Sequence, residues 1–179
     1  MLPAMTVNER ELFTAYLKQS SRYAEYGSGG STILANNMPS IKSIVSIESD
    51  NAFADTVRPY APRSELRWIN IGPISSYGHP SDESAKSSWR NYSDQDLSNP
   101  DTVLVDGRFR IACICNVLLR YPSATVLVHD FTHRSEYHPV LRFVDVIDQV
   151  DSLVVLKRKK FTFTGDIKDM YTSYVHHQN

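Results

Sequence analysis

Residues 22–37 constrain the fold more than any other stretch. Arg22–Tyr26 reads as a short strand, Gly27-Ser28-Gly29-Gly30 as a tight turn, and Ser31–Asn37 as a helix start that Ser31 or Thr32 is able to cap. The alternation then continues. Ile41–Glu48, with Ile44, Val45 and Ile47, is a β-branched strand. Asn51–Tyr60 is a helix stopped near Pro59 and Pro62, and Leu66–Ile71 is a strand. Thr102–Asp106 and Thr125–Asp130 are further strands flanking an apolar helix at Phe109–Tyr121, which Pro122 ends. Ahead of this series, Val7–Lys18 spaces Leu12, Phe13, Tyr16 and Leu17 as a helix does. After it comes a short helix or turn at Glu136–Phe143, then two consecutive strands, Val144–Val150 and Ser152–Lys157. Strand-helix alternation predicts an α/β protein: a mostly parallel sheet with right-handed crossovers, helices on both faces, and an antiparallel strand at the end.

A chain of 179 residues is expected to form one domain, here with its core over about 20–158 and a polar, aromatic-bearing tail over 161–179 that carries a helix at 166–174. With 19 basic against 20 acidic side chains, broad electrostatic binding of nucleic acid is not expected. The one dense basic run, Lys157-Arg158-Lys159-Lys160, reads as a solvated strand edge. No apolar run reaches the roughly 18 residues of a membrane span, so no membrane partner is expected. Met1–Met5 lacks the basic and apolar regions of a secretory leader. Cys113 and Cys115 would point about 200° apart on a helix and cannot bridge each other. As reduced, buried thiols they suit a cytoplasmic location.

In parallel α/β sheets ligands bind beyond the carboxyl ends of the strands, and the suggestive residues fall there. Gly27-Ser28-Gly29-Gly30 lets a backbone approach a ligand closely. Glu48 ends the next strand roughly 20 residues on, the spacing at which a carboxylate takes a ribose diol. Thr32 stands where a dinucleotide fingerprint needs its third glycine, and no P-loop lysine is present. Glu25, beside the turn, would repel a pyrophosphate but suits a ligand with a cationic amine. A nicotinamide oxidoreductase is therefore the weaker alternative.

Glu25-Tyr26-Gly27-Ser28-Gly29-Gly30-Ser31-Thr32 resembles motif I of the class I S-adenosylmethionine-dependent methyltransferases. Ser46-Ile47-Glu48-Ser49-Asp50 resembles their second, acidic motif, while Val105-Asp106-Gly107-Arg108 and Val128-His129-Asp130 resemble the ends of their fourth and fifth strands. The resemblance implies a Rossmann-like three-layer sandwich with a seven-stranded sheet whose last strand is antiparallel. It also implies S-adenosylmethionine as cofactor. Glu25, Tyr26, Gly27, Ser28, Gly29 and Ser31 would surround its methionine part, and Glu48 with Ser49 its ribose. Asn70 and Ile71 would sit near adenine, and Asp106 and Gly107 at the reaction centre.

The acceptor side is expected to take a small or medium-sized molecule through oxygen or nitrogen, with Asp106, His129 and Asp130 as the catalytic candidates. His129 or His133 could serve as base. Asp106 and Asp130 could share a divalent cation, a reading not favoured because no third ligand follows Asp130. Arg108 and Arg110 could grip an anionic acceptor or form structural ion pairs. Tyr77 and Trp89, on the long polar stretch 72–99, could wall the acceptor or fold down into a satellite core. A second subunit could complete the acceptor site. The alternative from another class is a cofactor-binding protein that keeps this fold without catalysis.

Overall fold

The computed structural model describes residues 1–178. Five strands run parallel: β1 (Arg22–Tyr26), β2 (Ser43–Glu48), β3 (Ser64–Trp68), β4 (Thr102–Val105) and β5 (Thr125–Val128). Then β6 (Val144–Val150) and β7 (Leu153–Arg158) form a hairpin whose second strand pairs antiparallel with both β5 and β6. The sheet order is β3-β2-β1-β4-β5-β7-β6. The order reverses at β1, so the ends of β1 and β4 diverge into a cleft, the switch point where such sheets bind ligands. The expected seven-stranded sheet with an antiparallel last strand is the observed one.

Strand alternation sends side chains to two apolar layers. Tyr23, Ile44, Leu104 and Leu127 pack on one face with Phe13 and Leu17 of α1 (Val7–Gln19). The short helices α2 (Gly30–Asn36) and α3 (Asn51–Val57) also cover this face, α2 through Ala35. Ala24, Val45, Val103 and Val126 pack on the other face with α5 (Arg110–Arg120). Between β3 and β4 lie two single turns of 3-10 helix, Ser76–Gly78 and Lys86–Ser88, and one short α-helix, α4 (Arg90–Ser93). α5 is buried from Arg110 to Leu118 because α6 (Thr164–Tyr174) lies over it, seating Ile167 and, just beyond the helix, Val175 in the same layer. The core therefore extends past the expected 20–158 limits at both ends. Spacing alone missed this because α1 and α6 each bury only a narrow apolar stripe. Truncating Ile114 to alanine in this layer should cost about 2–5 kcal/mol.

Thr6 starts α1 with a reciprocal cap. Its hydroxyl accepts from the Glu9 amide at 3.1 Å while its own amide donates to Glu9 Oε2 at 2.8 Å. The residues before it, Met1–Met5, lie across the start of α2. A side chain on Gly30 would collide with the Leu2–Pro3 backbone. Helix α2 begins one residue earlier than expected, so Ser31 and Thr32 lie inside its first turn, from where the Thr32 hydroxyl accepts the amide of the N-cap residue Gly29 at 2.9 Å.

Candidate functional site

The cleft has a volume of about 740 Å³ and opens where the loops after β1, β2, β4 and β5 meet. Its floor is backbone. Gly27 has φ +95°, and a Cβ there would stand 2.7 Å from the Gly107 amide nitrogen, so the two turns touch with no room for a side chain. The Gly27 amide donates to the Ile47 carbonyl at 2.8 Å, and the Asp106 amide to the Tyr26 carbonyl at 2.9 Å. Gly29 is less crowded: a Cβ there would make only an ordinary van der Waals contact with the Phe53 ring, at 3.8 Å.

Glu48 stands at the end of β2, facing this floor. Oε2 accepts from the Ser28 amide (3.0 Å) and hydroxyl (2.8 Å), while Oε1 accepts from the amides of Ser49 (2.7 Å) and Asp50 (2.9 Å). Four donors match the carboxylate's lone-pair capacity. The Ser49 hydroxyl donates to Gly78 O at 3.2 Å, which draws the tip of the long loop over this corner.

Glu25 is not at the ligand. Alternation along β1 places it on the same face as Tyr23, beneath the first turn of α2 and fully buried. The hydroxyls of Tyr23 (2.8 Å), Ser31 (2.7 Å), Ser46 (2.8 Å) and Thr32 all donate to it. Burial pushes its pKa up to about 7 against these donors. The expectation that Glu25 meets a cationic amine is corrected: it ties the turn to the sheet. Ser31 borders the cleft but gives its hydroxyl to Glu25. Tyr26 points to the opposite layer, where its hydroxyl donates to Ser93 O at 2.8 Å and accepts from the Asn116 amide at 3.0 Å.

Asn70 and Ile71 also lie off the cleft, because β3 ends at Trp68, earlier than expected. The exposed Asn70 folds back to take the Gly72 amide at 2.9 Å. Ile71 is core, and its carbonyl accepts the Trp89 indole N–H at 3.1 Å. Trp89 is thereby sunk into the molecule, 1 % exposed and against Phe109, so it is no acceptor wall. Tyr77 does reach the cleft mouth, 91 % exposed, in the left-handed region at φ +60°.

At the β4–β5 end a charge network replaces bare backbone. Asp106 and Asp130 flank Arg110, whose Nη2 lies 3.1 Å from Asp106 Oδ1 and 3.3 Å from Asp130 Oδ2. The same guanidinium donates to the carbonyls of Gly107 and Asp106, at 3.0 and 3.1 Å, and of His129, and it stacks over Tyr137. Of the two roles open to Arg110, the structure selects the ion pair. His129 Nδ1 lies 3.1 Å from Asp106 Oδ1, and Nε2 lies 3.3 Å from Glu9 Oε2 on α1. Burial would lower the His129 pKa, but Asp106, Asp130 and Glu9 together raise it. Glu9 also takes the Ser152 amide (2.9 Å) and hydroxyl (2.6 Å). Burial works against its ionisation, yet the Ser152 and Thr6 donors with His129 hold its pKa down at about 2. With both nitrogens against carboxylates, His129 has no free lone pair for a substrate proton, and its expected role as a base is corrected. His133 is exposed and does not line the cleft.

Asp106, His129 and Asp130 bring ligand atoms within 4.8 Å of one another, as a metal site would. The carboxylates are, however, already neutralised by Arg110 and His129. Arg108 is different. It is nine-tenths buried, faces the cleft, and its guanidinium meets the His79 ring rather than a carboxylate. Burial, then the Arg108 charge, lowers the His79 pKa, so His79 stays neutral and accepts from Arg108.

Two further features complete the site. Tyr92, in the long loop, packs fully buried between Tyr26 and Phe109, with its hydroxyl at the cleft and without a hydrogen-bond partner. Glu9 reaches His129 from 120 residues away. An aromatic in a polar loop hinted at the first. Nothing local announced the second.

No protein-family model matches the chain, and no curated protein matches it. Solved structures do. It is similar to a methyltransferase-like protein from Silicibacter pomeroyi DSS-3, at 25% identity and a TM-score of 0.84 over 97% of this chain and 96% of that one. A TehB-like SAM-dependent methyltransferase from Corynebacterium glutamicum aligns at 10% identity and a TM-score of 0.56, over 87% and 90% of the two chains. The N-methyltransferase NodS from Bradyrhizobium japonicum aligns at 11% and 0.52, over 85% and 97%. The resemblance carried by the glycine loop and the acidic strand ends thus extends along the chain, which has the fold of the class I S-adenosylmethionine-dependent methyltransferases.

Proposed function

We propose that the protein transfers a methyl group from S-adenosylmethionine to a small or medium-sized acceptor, through oxygen or nitrogen. One observation carries the reading: the side-chain-free contact of Gly27 with Gly107 faces the hydrogen-bonded carboxylate of Glu48 across a single cleft. The residues present fit the cofactor. The backbone at Gly27–Gly29 leaves room for the methionine part. Glu48 takes a ribose diol once the Ser28 hydroxyl gives up its place on Oε2. Asp106, at the end of β4, borders the same space as the turn.

When bound, the sulfonium supplies an activated methyl group. The chain itself supplies alignment, the main requirement of an in-line displacement. The backbone floor fixes one reactant, and the cleft wall beside Arg108 and Tyr77 fixes the other. Asp106 and Asp130 are engaged by Arg110 and His129, so they act as a rigid, charge-balanced wall at the expected catalytic position.

That engagement favours a second reading, a cofactor-binding protein of this fold without turnover. Calorimetric titration with S-adenosylmethionine and separately with NAD, on wild type and Glu48→Ala, tests the cofactor. Saturable binding of the first alone, weakened at least about tenfold by the variant, is expected, since hydrogen bonds to a charged group contribute about 1.5–3 kcal/mol. No binding at millimolar ligand by folded protein sinks the proposal. Formation of S-adenosylhomocysteine with an acceptor then separates enzyme from binder.

A further inference from the structure

Two polar groups in the cleft lack the partners that burial normally demands. Asp106 and Asp130 spend their charge on Arg110, His129 and Arg134, and among the described residues no carboxylate pairs with Arg108. A nine-tenths buried guanidinium resting on a neutral imidazole has given up hydration without gaining a counter-charge. Beside it, the Tyr92 hydroxyl is buried with no acceptor for its proton, below the turn at Gly107 and near the Arg108 amide. Burial and then the Glu48 charge raise the Tyr92 pKa well above the usual range, so the hydroxyl keeps its proton to donate. A carboxylate or phosphate oxygen is the ligand that satisfies a guanidinium fork and a hydroxyl donor together.

We propose that Arg108 and the Tyr92 hydroxyl form a receptor for an oxyanion on the methyl acceptor. The acceptor is accordingly a small anionic molecule, a carboxylate or phosphate ester, and not a neutral phenol or amine. This rests on the methyltransferase reading above. His79 positions the receptor: it holds Arg108 from the base of the 75–80 hairpin, which closes through the Ser75 amide on the His79 carbonyl at 2.7 Å. Arg110, two residues on, takes no part, because its donors are already used.

The test titrates wild type, Arg108→Met, Arg108→Lys and Tyr92→Phe with four probes. S-adenosylhomocysteine and methylthioadenosine, which lacks the amino-acid portion, report on the cofactor site. Benzoate and inorganic phosphate, added to the protein saturated with S-adenosylhomocysteine, report on the oxyanion site, with benzamide as the neutral control. At least one oxyanion should bind wild type in the millimolar range or better and benzamide should not. Arg108→Met should weaken that oxyanion at least about tenfold, equivalent to about 1.4 kcal/mol, and Tyr92→Phe about threefold. S-adenosylhomocysteine should change by less than about threefold in every variant. Tyr92→Phe removes an oxygen with no partner in the protein, so it should fold normally even if Arg108→Met does not.

Oxyanions that bind no better than benzamide, or equally well to the variants, overturn the proposal. So does a variant that weakens S-adenosylhomocysteine tenfold while sparing methylthioadenosine, because the pair would then serve the cofactor's own carboxylate. Failure of S-adenosylhomocysteine to bind wild type overturns the methyltransferase reading instead. In that case the oxyanion titrations on the ligand-free protein still decide whether Arg108 and Tyr92 bind an anion.

Discussion

The two sides of the cleft are built by opposite means. Around the ends of β1 and β2 the surface is backbone: Gly27 pressed on Gly107, and a single carboxylate, Glu48, ringed by neighbouring amides and the Ser28 hydroxyl. Around the ends of β4 and β5 it is side chain, with Arg110, His129, Asp106, Asp130 and distant Glu9 sharing their charges. The first side depends on what is absent, a Cβ. The second depends on every member being present. A backbone floor tolerates loss of a polar group with little change in stability but loses its ligand. A buried charge network loses stability when any partner goes.

The largest effect should come from the network. Arg110→Met leaves two carboxylates and three carbonyls without their cation, and should cost about 3–5 kcal/mol of stability in denaturant unfolding. A loss under about 1 kcal/mol would break the comparison. Next is Gly27→Ala, which combines a left-handed φ with a backbone clash. Strain of about 1–3 kcal/mol is expected, with cofactor binding lost altogether. Glu48→Ala should lose binding while thermal stability moves by less than either of these.

The remaining effects are in pH dependence. Glu9 has its folded pKa depressed to about 2, so its contribution is present above the ordinary value of 4.5 and is lost as pH falls from there toward 2. Glu25, raised to about 7, does the reverse: its contribution is full below 4.5 and is lost as pH rises through 7. Unfolding of Glu9→Gln should therefore be less acid-sensitive than wild type, and that of Glu25→Gln less sensitive between pH 5 and 8. An unaltered acid limb in Glu9→Gln would show that α1 is not held by this carboxylate.

The glycine side was legible because its information is local. A turn between strand and helix needs glycine at fixed places, and the next strand brings its acidic end alongside at a fixed spacing. Even there, residue type outran orientation. The position of Glu25 beside the turn marks it out, but strand alternation turns it inward to four hydroxyls rather than toward a ligand. Asn70 and Ile71 slipped for a boundary reason, since β3 stops at Trp68 and the chain has turned away before reaching them. On the other side, Asp106 and Asp130 lie one and two residues beyond the ends of β4 and β5, near where the strand pattern puts them. Their partners were not legible, because no local pattern joins a capping Glu9 to His129. Trp89 and Tyr92 show the same limit in one segment: three residues apart, both rings are core, and only Tyr92 brings a polar atom to the cleft.

The two thiols of α5 give this molecule an internal clock. Cys113 and Cys115 are fully covered, and burial pushes the Cys115 pKa up to about 12 and that of Cys113 well above its usual range. Neither should react with an alkylating reagent until the layer around α5 parts, so the labelling rate counts openings. Cys113 also donates to the Arg108 carbonyl at 3.3 Å. Its protection therefore reads the turn that carries Arg108, and a molecule lodged in the cleft should slow the clock without touching either sulfur.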